Sequence, residues 1–293
     1  MPHALSQRTA GTHDSTVPDS VPTSLRIIRG ANRTLGRVAP TVAARLNARL
    51  FSRPRRFAPR DWEQPFERLG TRQRLRSGVS VLTAGEGPVA ALLHGWEGRA
   101  TQFANFAPAL LARGYRVVAI DGPAHGHSRG DRADPYRFAE SLLEVQATFG
   151  PLRAAIGHSM GGGSIAIALA NGLALERAVL IASPASLHEV LHRFADAMHL
   201  PSRATAHFVN RLRAQVVARG HRDVDVLPLV STLPTRALVV HARDDREVPF
   251  TDGERIARAW PAAQLVAVDG VGHRRILRDA AVIETAVRFV ADD

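Results

Sequence analysis

The sequence contains no cysteine among its 293 residues. Disulfide bonds, thiol nucleophiles and cysteine-based zinc or iron-sulfur sites are therefore excluded together. Lysine is also absent, so all 38 basic residues are arginine. No apolar run approaches the roughly 18 residues that a membrane-spanning helix needs, and the first twenty residues lack the apolar core of a secretory signal. We therefore expect a cytoplasmic protein.

Positive charge is concentrated in the first quarter of the chain. The formal net charge is +11, but residues 1–77 hold 15 arginines against 5 acidic residues, whereas residues 78–293 hold 23 against 22. A high net charge by itself would suggest a nucleic-acid partner. Because the larger part of the chain is nearly neutral, we expect no nucleic-acid partner.

The first part of the chain has two sections of different composition. Residues 1–23 are rich in serine, threonine and proline and predict a disordered tail. Residues 24–77 predict a basic, amphipathic helical extension, with a break at Pro40. Its apolar face is formed by Leu35, Val38, Val42, Leu46 and Leu50, and its basic face by Arg26, Arg29, Arg33 and Arg37. We favour packing of the apolar face on the following domain, while weak contact of residues 24–51 with an anionic membrane surface stays open.

From residue 78 onward, short β-type runs alternate with stretches of helical length. The candidate strands are Val79–Leu82, Val89–Leu93, Val117–Ile120, Leu152–Ile156, Ala178–Ile181, Ala237–Val240 and Leu265–Val268. This alternation predicts one α/β domain over residues 78–293, with a mostly parallel central sheet and helices on both faces. Residues 184–233 show helical patterns and no strand, which predicts a small helical cap.

A G-x-S-x-G string centred on Ser159 lies between a candidate strand and a helical run. In a tight strand-to-helix turn, the serine hydroxyl would stand above the sheet. A serine nucleophile needs a base and an acid that orients the base. His273 follows the last candidate strand, and Asp244 and Asp245 follow the preceding one. Because the carboxyl ends of parallel strands share one edge of the sheet, these side chains can converge.

The loop after the strand Val89–Leu93 reads His94, Gly95, Trp96. Attack on a carbonyl group requires donors for the developing oxyanion. We predict that these donors are the backbone amides of Trp96 and of Met160, which directly follows the nucleophile. Candidate residues of the substrate pocket are His94, Gly95, Trp96 and His158.

Taken together, these segments resemble the α/β-hydrolase superfamily over residues 79–291. Five strings match in order: HGWEG, DGPAHGHS, GHSMGG, DDREVP and GVGH. The resemblance implies the α/β-hydrolase fold and assigns the acid to Asp245, which stands four positions before the proline of its string. It also implies that DGPAHGHS is a tight loop near the site, and we expect no catalytic role for His125 and His127. Since related dehalogenases and epoxide hydrolases use an aspartate nucleophile, a serine at this position favours acyl transfer to water.

The predicted cap contains a competing motif. His188, Glu189 and His192 fit the H-E-x-x-H pattern of zinc proteases. A catalytic zinc ion needs a third protein ligand. The next glutamate after Glu189 is Glu247, too far along the chain to belong to the motif. We therefore interpret these histidines, with His199, as solvated or as bordering the mouth of the site, and we predict no metal site.

We predict a serine hydrolase of the esterase type that acts on a small-molecule acyl substrate without a cofactor. A carboxylic ester is the default bond, but thioesters, amides and carbon-carbon bonds are cleaved by similar triads, and these alternatives stay open. A membrane-associated or binding protein without catalysis is a further alternative. The completeness of the predicted site argues against it.

Overall fold

A computed structural model describes residues 23–222 and 225–292, so residues 1–22 of the predicted tail lie outside the described residues. The strands are β1 (Thr71–Arg74), β2 (Ser80–Ala84), β3 (Val89–Leu93), β4 (Arg116–Asp121), β5 (Leu152–His158), β6 (Leu175–Ile181), β7 (Arg236–Ala242) and β8 (Ala263–Val268). They form one sheet in the order β1-β2-β4-β3-β5-β6-β7-β8. The pairs β1 with β2 and β2 with β4 are antiparallel, and all other pairs are parallel. The predicted mostly parallel α/β sheet is confirmed.

The described residues form twelve α-helices, three before β1 and nine after β3. They are α1 (Thr23–Val38), α2 (Pro40–Ser52), α3 (Gln64–Leu69), α4 (Phe106–Leu111), α5 (Pro135–Phe149), α6 (Met160–Ala170), α7 (Leu187–Ala197), α8 (Ser202–Ala218), α9 (Val226–Val230), α10 (Phe250–Ala259), α11 (Gly272–Arg275) and α12 (Ala280–Ala291). Within the described ranges, none combines the length and the apolar character that crossing a bilayer requires.

The sheet separates two layers of core. Strands β3, β5, β6 and β7 are apolar over most of their length, as expected for strands covered on both faces. Helices α5, α6 and α10 contribute to the core on one face, and α4 and α12 to the core on the other. Helices α7, α8 and α9 lie between β6 and β7 in the chain, in the stretch from which the sequence predicted the cap.

Strand β1 was not predicted. It lies within residues 24–77, which the sequence assigned to the helical extension, so the sheet begins before residue 78. The strand reads TRQR and is largely exposed at the edge of the sheet. An edge strand can be polar on both faces, and it then lacks the apolar alternation by which strands are identified. Arg72 of this strand donates a 2.8 Å hydrogen bond to the buried carboxylate of Asp121.

The apolar face predicted for the extension does not pack as expected. Val38, Val42, Leu46 and Leu50 are exposed by 81%, 47%, 49% and 48%, respectively. The buried side of α2 consists of small residues: Ala43, Ala44 and Ala48, with Asn47. Small side chains allow two helices to approach closely, and this side of α2 packs against α8 in a core shared with the cap. The interpretation that the large apolar face covers the domain is therefore wrong for these four residues.

A buried pair of asparagines joins the extension to the cap. Asn32 and Asn47 donate hydrogen bonds to each other's side-chain oxygens, at 3.2 and 2.8 Å. Asn32 also donates to the carbonyl oxygen of Met198 at 2.8 Å, and Asn47 donates to that of Ala43 at 2.9 Å. Because these amides are buried, each depends on the other for its hydrogen bonds.

Replacement of Asn47 by alanine tests this junction. The change leaves Asn32 with fewer partners in a buried position, which is expected to lower the free energy of unfolding by about 1–3 kcal/mol. Urea denaturation followed by circular dichroism measures it. Thr41→Ala, on the exposed side of the same helix, is the control and should change the stability by less than about 0.5 kcal/mol. Equal stabilities of Asn47→Ala and the wild type would contradict a structural role for the pair.

Candidate active site

Ser159 occupies the junction of β5 and α6 with an unusual backbone conformation. Its φ is +53° and its ψ is −121°, a region that residues with a side chain rarely adopt. The strand ends at His158 and the helix begins at Met160, so the serine stands at the carboxyl edge of the parallel strands. This is the tight strand-to-helix turn that the sequence predicted.

Two glycines permit the turn because the backbone passes too closely for any side chain. A Cβ atom added to Gly157 would lie 2.6 Å from the carbonyl carbon of Gly161. A Cβ atom on Gly161 would lie 2.2 Å from the carbonyl oxygen of Leu93, at the end of β3. Neither position could accept alanine without a shift of the backbone.

His273 and Asp245 are joined directly. Nδ1 of His273 lies 2.8 Å from Oδ2 of Asp245, and both side chains are buried. The second carboxylate oxygen accepts hydrogen bonds from the amides of Glu247 and Val248, at 2.8 and 2.9 Å. Asp244 instead is exposed and accepts a hydrogen bond from the amide of Gly272, at 3.2 Å. The structure therefore brings Asp245, and not its neighbour, into contact with the histidine.

A second histidine contacts the same carboxylate. His241 is fully buried, and its Nε2 lies 3.1 Å from the carbonyl oxygen of Val248 and 3.4 Å from Oδ2 of Asp245. Burial alone would raise the pKa of Asp245, but the hydrogen bonds from His241 and His273 outweigh it and hold that pKa well below its usual range. Asp245 is thus ionised and can orient a histidine. The sequence analysis missed His241 because a histidine inside a strand carries no distinguishing local pattern.

The predicted oxyanion donors lie on the two segments that meet at Ser159. Met160 is the first residue of α6, where helix amides have no intrahelical acceptor. Among the described residues the amide of Trp96 donates to no acceptor. A Cβ atom on Gly95 would lie 2.9 Å from Cβ of Ser159, so glycine is required for this loop to come so close to the serine.

Two of the predicted pocket residues, His94 and His158, lie buried between loops instead of lining a pocket. His94 is fully buried: its Nδ1 donates to the carbonyl oxygen of Gly95 at 2.6 Å, and its Nε2 accepts from the amide of Gly122 at 3.0 Å. His158 is also buried, and its Nε2 donates to the carbonyl oxygen of His273 at 2.8 Å. Both residues hold loops together and do not line an open pocket.

Burial keeps these imidazoles neutral. It lowers the pKa of His94 well below its usual value and that of His158 to about 3. His125, in the loop after β4, behaves in the same way: burial lowers its pKa to about 4. Its Nε2 accepts a hydrogen bond from the amide of Glu97 at 3.0 Å, and its Nδ1 donates to the carbonyl oxygen of Pro123 at 2.9 Å. The loop after β4 thereby supports the loop after β3.

The extension reaches the site, which the sequence did not predict. The ring of Phe51, near the end of α2, stacks on the indole of Trp96 with centroids 5.9 Å apart and planes 14° apart. It also makes edge contacts with Phe194 and Phe208 of the cap. These contacts join residues more than forty positions apart in the chain, so a local sequence pattern cannot predict them.

An ion pair fixes the same loop from the same segment. Arg55 donates from Nε and from its second guanidinium nitrogen to the two carboxylate oxygens of Glu97, at 2.9 and 3.0 Å. The backbone amide of Arg55 also donates to this carboxylate, at 3.1 Å. Because Glu97 directly follows Trp96, the three bonds restrict the position of the predicted oxyanion donor.

The H-E-x-x-H string lies in α7. Glu189 accepts two hydrogen bonds from the guanidinium of Arg255 in α10, at 2.8 and 2.9 Å, and this ion pair lowers its pKa. Over residues 23–222 and 225–292, no three histidine or carboxylate side chains are grouped as a metal ion would require. The glutamate therefore ties the cap to the main domain.

Comparisons with known proteins agree with this architecture. The model of the alpha/beta hydrolase family matches residues 90–285. Pimeloyl-[acyl-carrier protein] methyl ester esterase of Xanthomonas campestris pv. campestris is 28% identical over 249 residues, which are 71% of this chain and 96% of that protein.

Two solved structures share the fold. An esterase from Exiguobacterium antarcticum has a TM-score of 0.57 and 19% identity, over 76% of this chain and all of that one. The 2-hydroxy-6-oxo-6-phenylhexa-2,4-dienoate hydrolase of a Rhodococcus strain has a TM-score of 0.57 and 18% identity, over 75% of this chain and 98% of that one. About a quarter of this chain thus has no counterpart in either.

The neutral histidines predict how stability depends on pH. A histidine whose pKa is depressed by folding stabilises the protein above its unfolded pKa of about 6.5, and this contribution is lost as the pH falls toward the folded value. Between pH 7.5 and pH 5, His125 alone should cost roughly 2 kcal/mol of unfolding free energy. Urea denaturation across this range measures the slope. His125→Gln should reduce the slope, and His127→Gln, which alters an exposed imidazole, should not; identical slopes would contradict the assignment.

Proposed function

The chain belongs to the α/β-hydrolase family, and we propose that it hydrolyses carboxylic esters with Ser159 as nucleophile, His273 as general base and Asp245 as the orienting acid. The observation that carries the proposal is the 2.8 Å contact between His273 and the buried, ionised Asp245. Because Nδ1 of His273 donates to this carboxylate, Nε2 has a lone pair with which to accept a proton.

The proposed reaction has two steps. The hydroxyl oxygen of Ser159 attacks the ester carbonyl while His273 accepts the hydroxyl proton, and the alcohol departs with that proton to leave an acyl-enzyme. A water molecule, deprotonated by His273, then attacks the acyl-enzyme and releases the carboxylic acid and the serine. The amides of Trp96 and Met160 would stabilise the oxyanion in both steps.

The side chains around Trp96 favour a substrate with an apolar acyl group. The indole of Trp96 lies against Phe51, which in turn contacts two phenylalanines of the cap. Aromatic side chains of this kind provide apolar contact area without charge. The Xanthomonas relative is named as a methyl ester esterase, which supports an ester of a small alcohol as the first class to assay.

Labelling with a fluorophosphonate and hydrolysis of methyl and aryl esters of increasing acyl length test the proposal. We expect Ser159→Ala to lose labelling and to lower kcat at least about ten-thousandfold. Asp245→Asn should lower kcat about a thousandfold or more, because the histidine loses its orientation and its tautomer.

Asp244→Asn is the matched control, since it changes the adjacent carboxylate and should retain nearly full activity. The proposal fails if Ser159→Ala is labelled as strongly as the wild type. It also fails if the two aspartate variants lose the same amount of activity.

The ion pair of Arg55 with Glu97 predicts a positioning effect on the oxyanion loop. Loss of its three bonds in Arg55→Ala should lower kcat about tenfold with little change in KM, because small displacements of catalytic groups are costly. The control is Arg53→Ala, two positions before Arg55 in the chain, which breaks an exposed ion pair with Asp131. Glu97→Gln should lower kcat by the same factor. The double variant Arg55→Ala with Glu97→Gln should lower kcat no further, because both substitutions break the same ion pair. Equal kcat values for the Arg53 and Arg55 variants would refute the positioning role.

A further inference from the structure

Helices α1 and α2 carry most of the large apolar side chains that the described residues leave exposed. Ten such side chains are exposed, and six of them lie between residues 23 and 52: Ile27, Ile28, Val38, Val42, Leu46 and Leu50. Val42, Leu46 and Leu50 are spaced by four residues and form one row along α2, and Val38 stands just before it at the end of α1; we call these four residues the exposed stripe. Contiguous apolar surface of this kind marks an interaction site.

The charge of the same segment has one sign. Residues 23–52 contain six arginines and no aspartate or glutamate. Arg29 and Arg33 are used within the fold, because they bond to Ala197 and His199 of the cap, respectively. The remaining four form no ion pair with a described residue: Arg26, Arg37, Arg45 and Arg49.

Two of the arginines lie beside the stripe on α2. At 100° per residue, Arg49 projects about 20° from Val42 and Arg45 about 60° from it. The opposite side of the helix is buried against the cap through its alanines. Since long arginine side chains can extend past neighbouring apolar residues to reach a charged surface, the face suits a partner that is apolar in its interior and anionic at its surface.

We propose that the exposed stripe and these four arginines dock the protein on an anionic lipid bilayer, with α2 lying parallel to the membrane surface. A second copy of the chain is a poorer occupant, because it would bring the same positive charges together. A nucleic acid would leave the stripe in water. An anionic bilayer satisfies both properties of the face.

Docking would also fix the position of the active site relative to the lipid. Phe51 follows the last residue of the stripe and stacks on Trp96, so the loop that carries the proposed oxyanion donor is tied to the docked helix. An apolar ester dissolved in the membrane would then be released close to the site. This consequence rests on the proposed function, whereas the docking itself does not.

Sedimentation of the full chain with vesicles tests the docking. We expect binding to vesicles of phosphatidylcholine mixed with phosphatidylglycerol at physiological salt, and little binding to phosphatidylcholine alone. Arg45→Gln with Arg49→Gln should weaken the partition coefficient about tenfold or more. Val42→Ser with Leu46→Ser should weaken it by a similar factor. All these side chains are exposed, so thermal unfolding should confirm an intact fold.

Two matched variants and one catalytic variant serve as controls. Arg236→Gln removes an exposed arginine at the start of β7, and Val217→Ser removes an exposed apolar side chain on α8; both should bind as the wild type does. Ser159→Ala should also bind fully, which separates docking from turnover. Equal binding to neutral vesicles, or undiminished binding by the stripe variants, would overturn the proposal. So would a dimer in lipid-free sedimentation that only the stripe variants dissociate, since it would assign the face to a second copy.

Discussion

The left-handed backbone of Ser159 is the constraint on which the geometry of the site depends. A residue held in such a conformation costs on the order of 1–3 kcal/mol, and it persists only where the surroundings leave no alternative. Here the amide of Ser159 donates to the carbonyl oxygen of Ile181 at 2.8 Å, and its own carbonyl oxygen accepts from the amide of Gly162 at 3.0 Å. Strand β6 and the first turn of α6 thus hold the turn from both sides. The direction of α6, the amide of Met160 and the ring of His158 all follow from that turn.

Neutral histidines connect the loops around this turn. An uncharged imidazole can donate from one nitrogen and accept at the other, which suits it to link a backbone carbonyl with a backbone amide in a place that excludes water. His94 and His125 are used in this way, and His158 donates to the backbone of His273. His273, the proposed base, differs from them because its partner is a carboxylate. Buried histidines without a carboxylate partner therefore link backbone groups, whereas His273, whose Nδ1 donates to a carboxylate, can act as a base.

The sequence was sufficient for the parallel strands and for the turn at Ser159, because apolar runs and glycines act locally. It was insufficient where the contacts are distant or where the pattern is absent. Strand β1 is polar on an edge, so it has no alternation to detect. The helical periodicity of α2 revealed two faces but not which one is covered: the cap contacts the alanines because small side chains permit close packing. Asp245 and Asp244 are adjacent in the chain; the spacing of the family string favoured Asp245, and the fold shows that it is the aspartate that contacts His273.

The buried bond from Asn32 to Met198 spans 166 residues of chain, and this separation matters during synthesis. A ribosome that adds about 5–20 residues per second completes the cap roughly 10–40 seconds after it completes α1. Throughout that interval the first two helices can pack only against each other and lack the cap, although they are among the earliest segments to emerge. Their buried sides consist of small or polar residues, which offer little apolar area to a wrong neighbour and are well suited to such a delay.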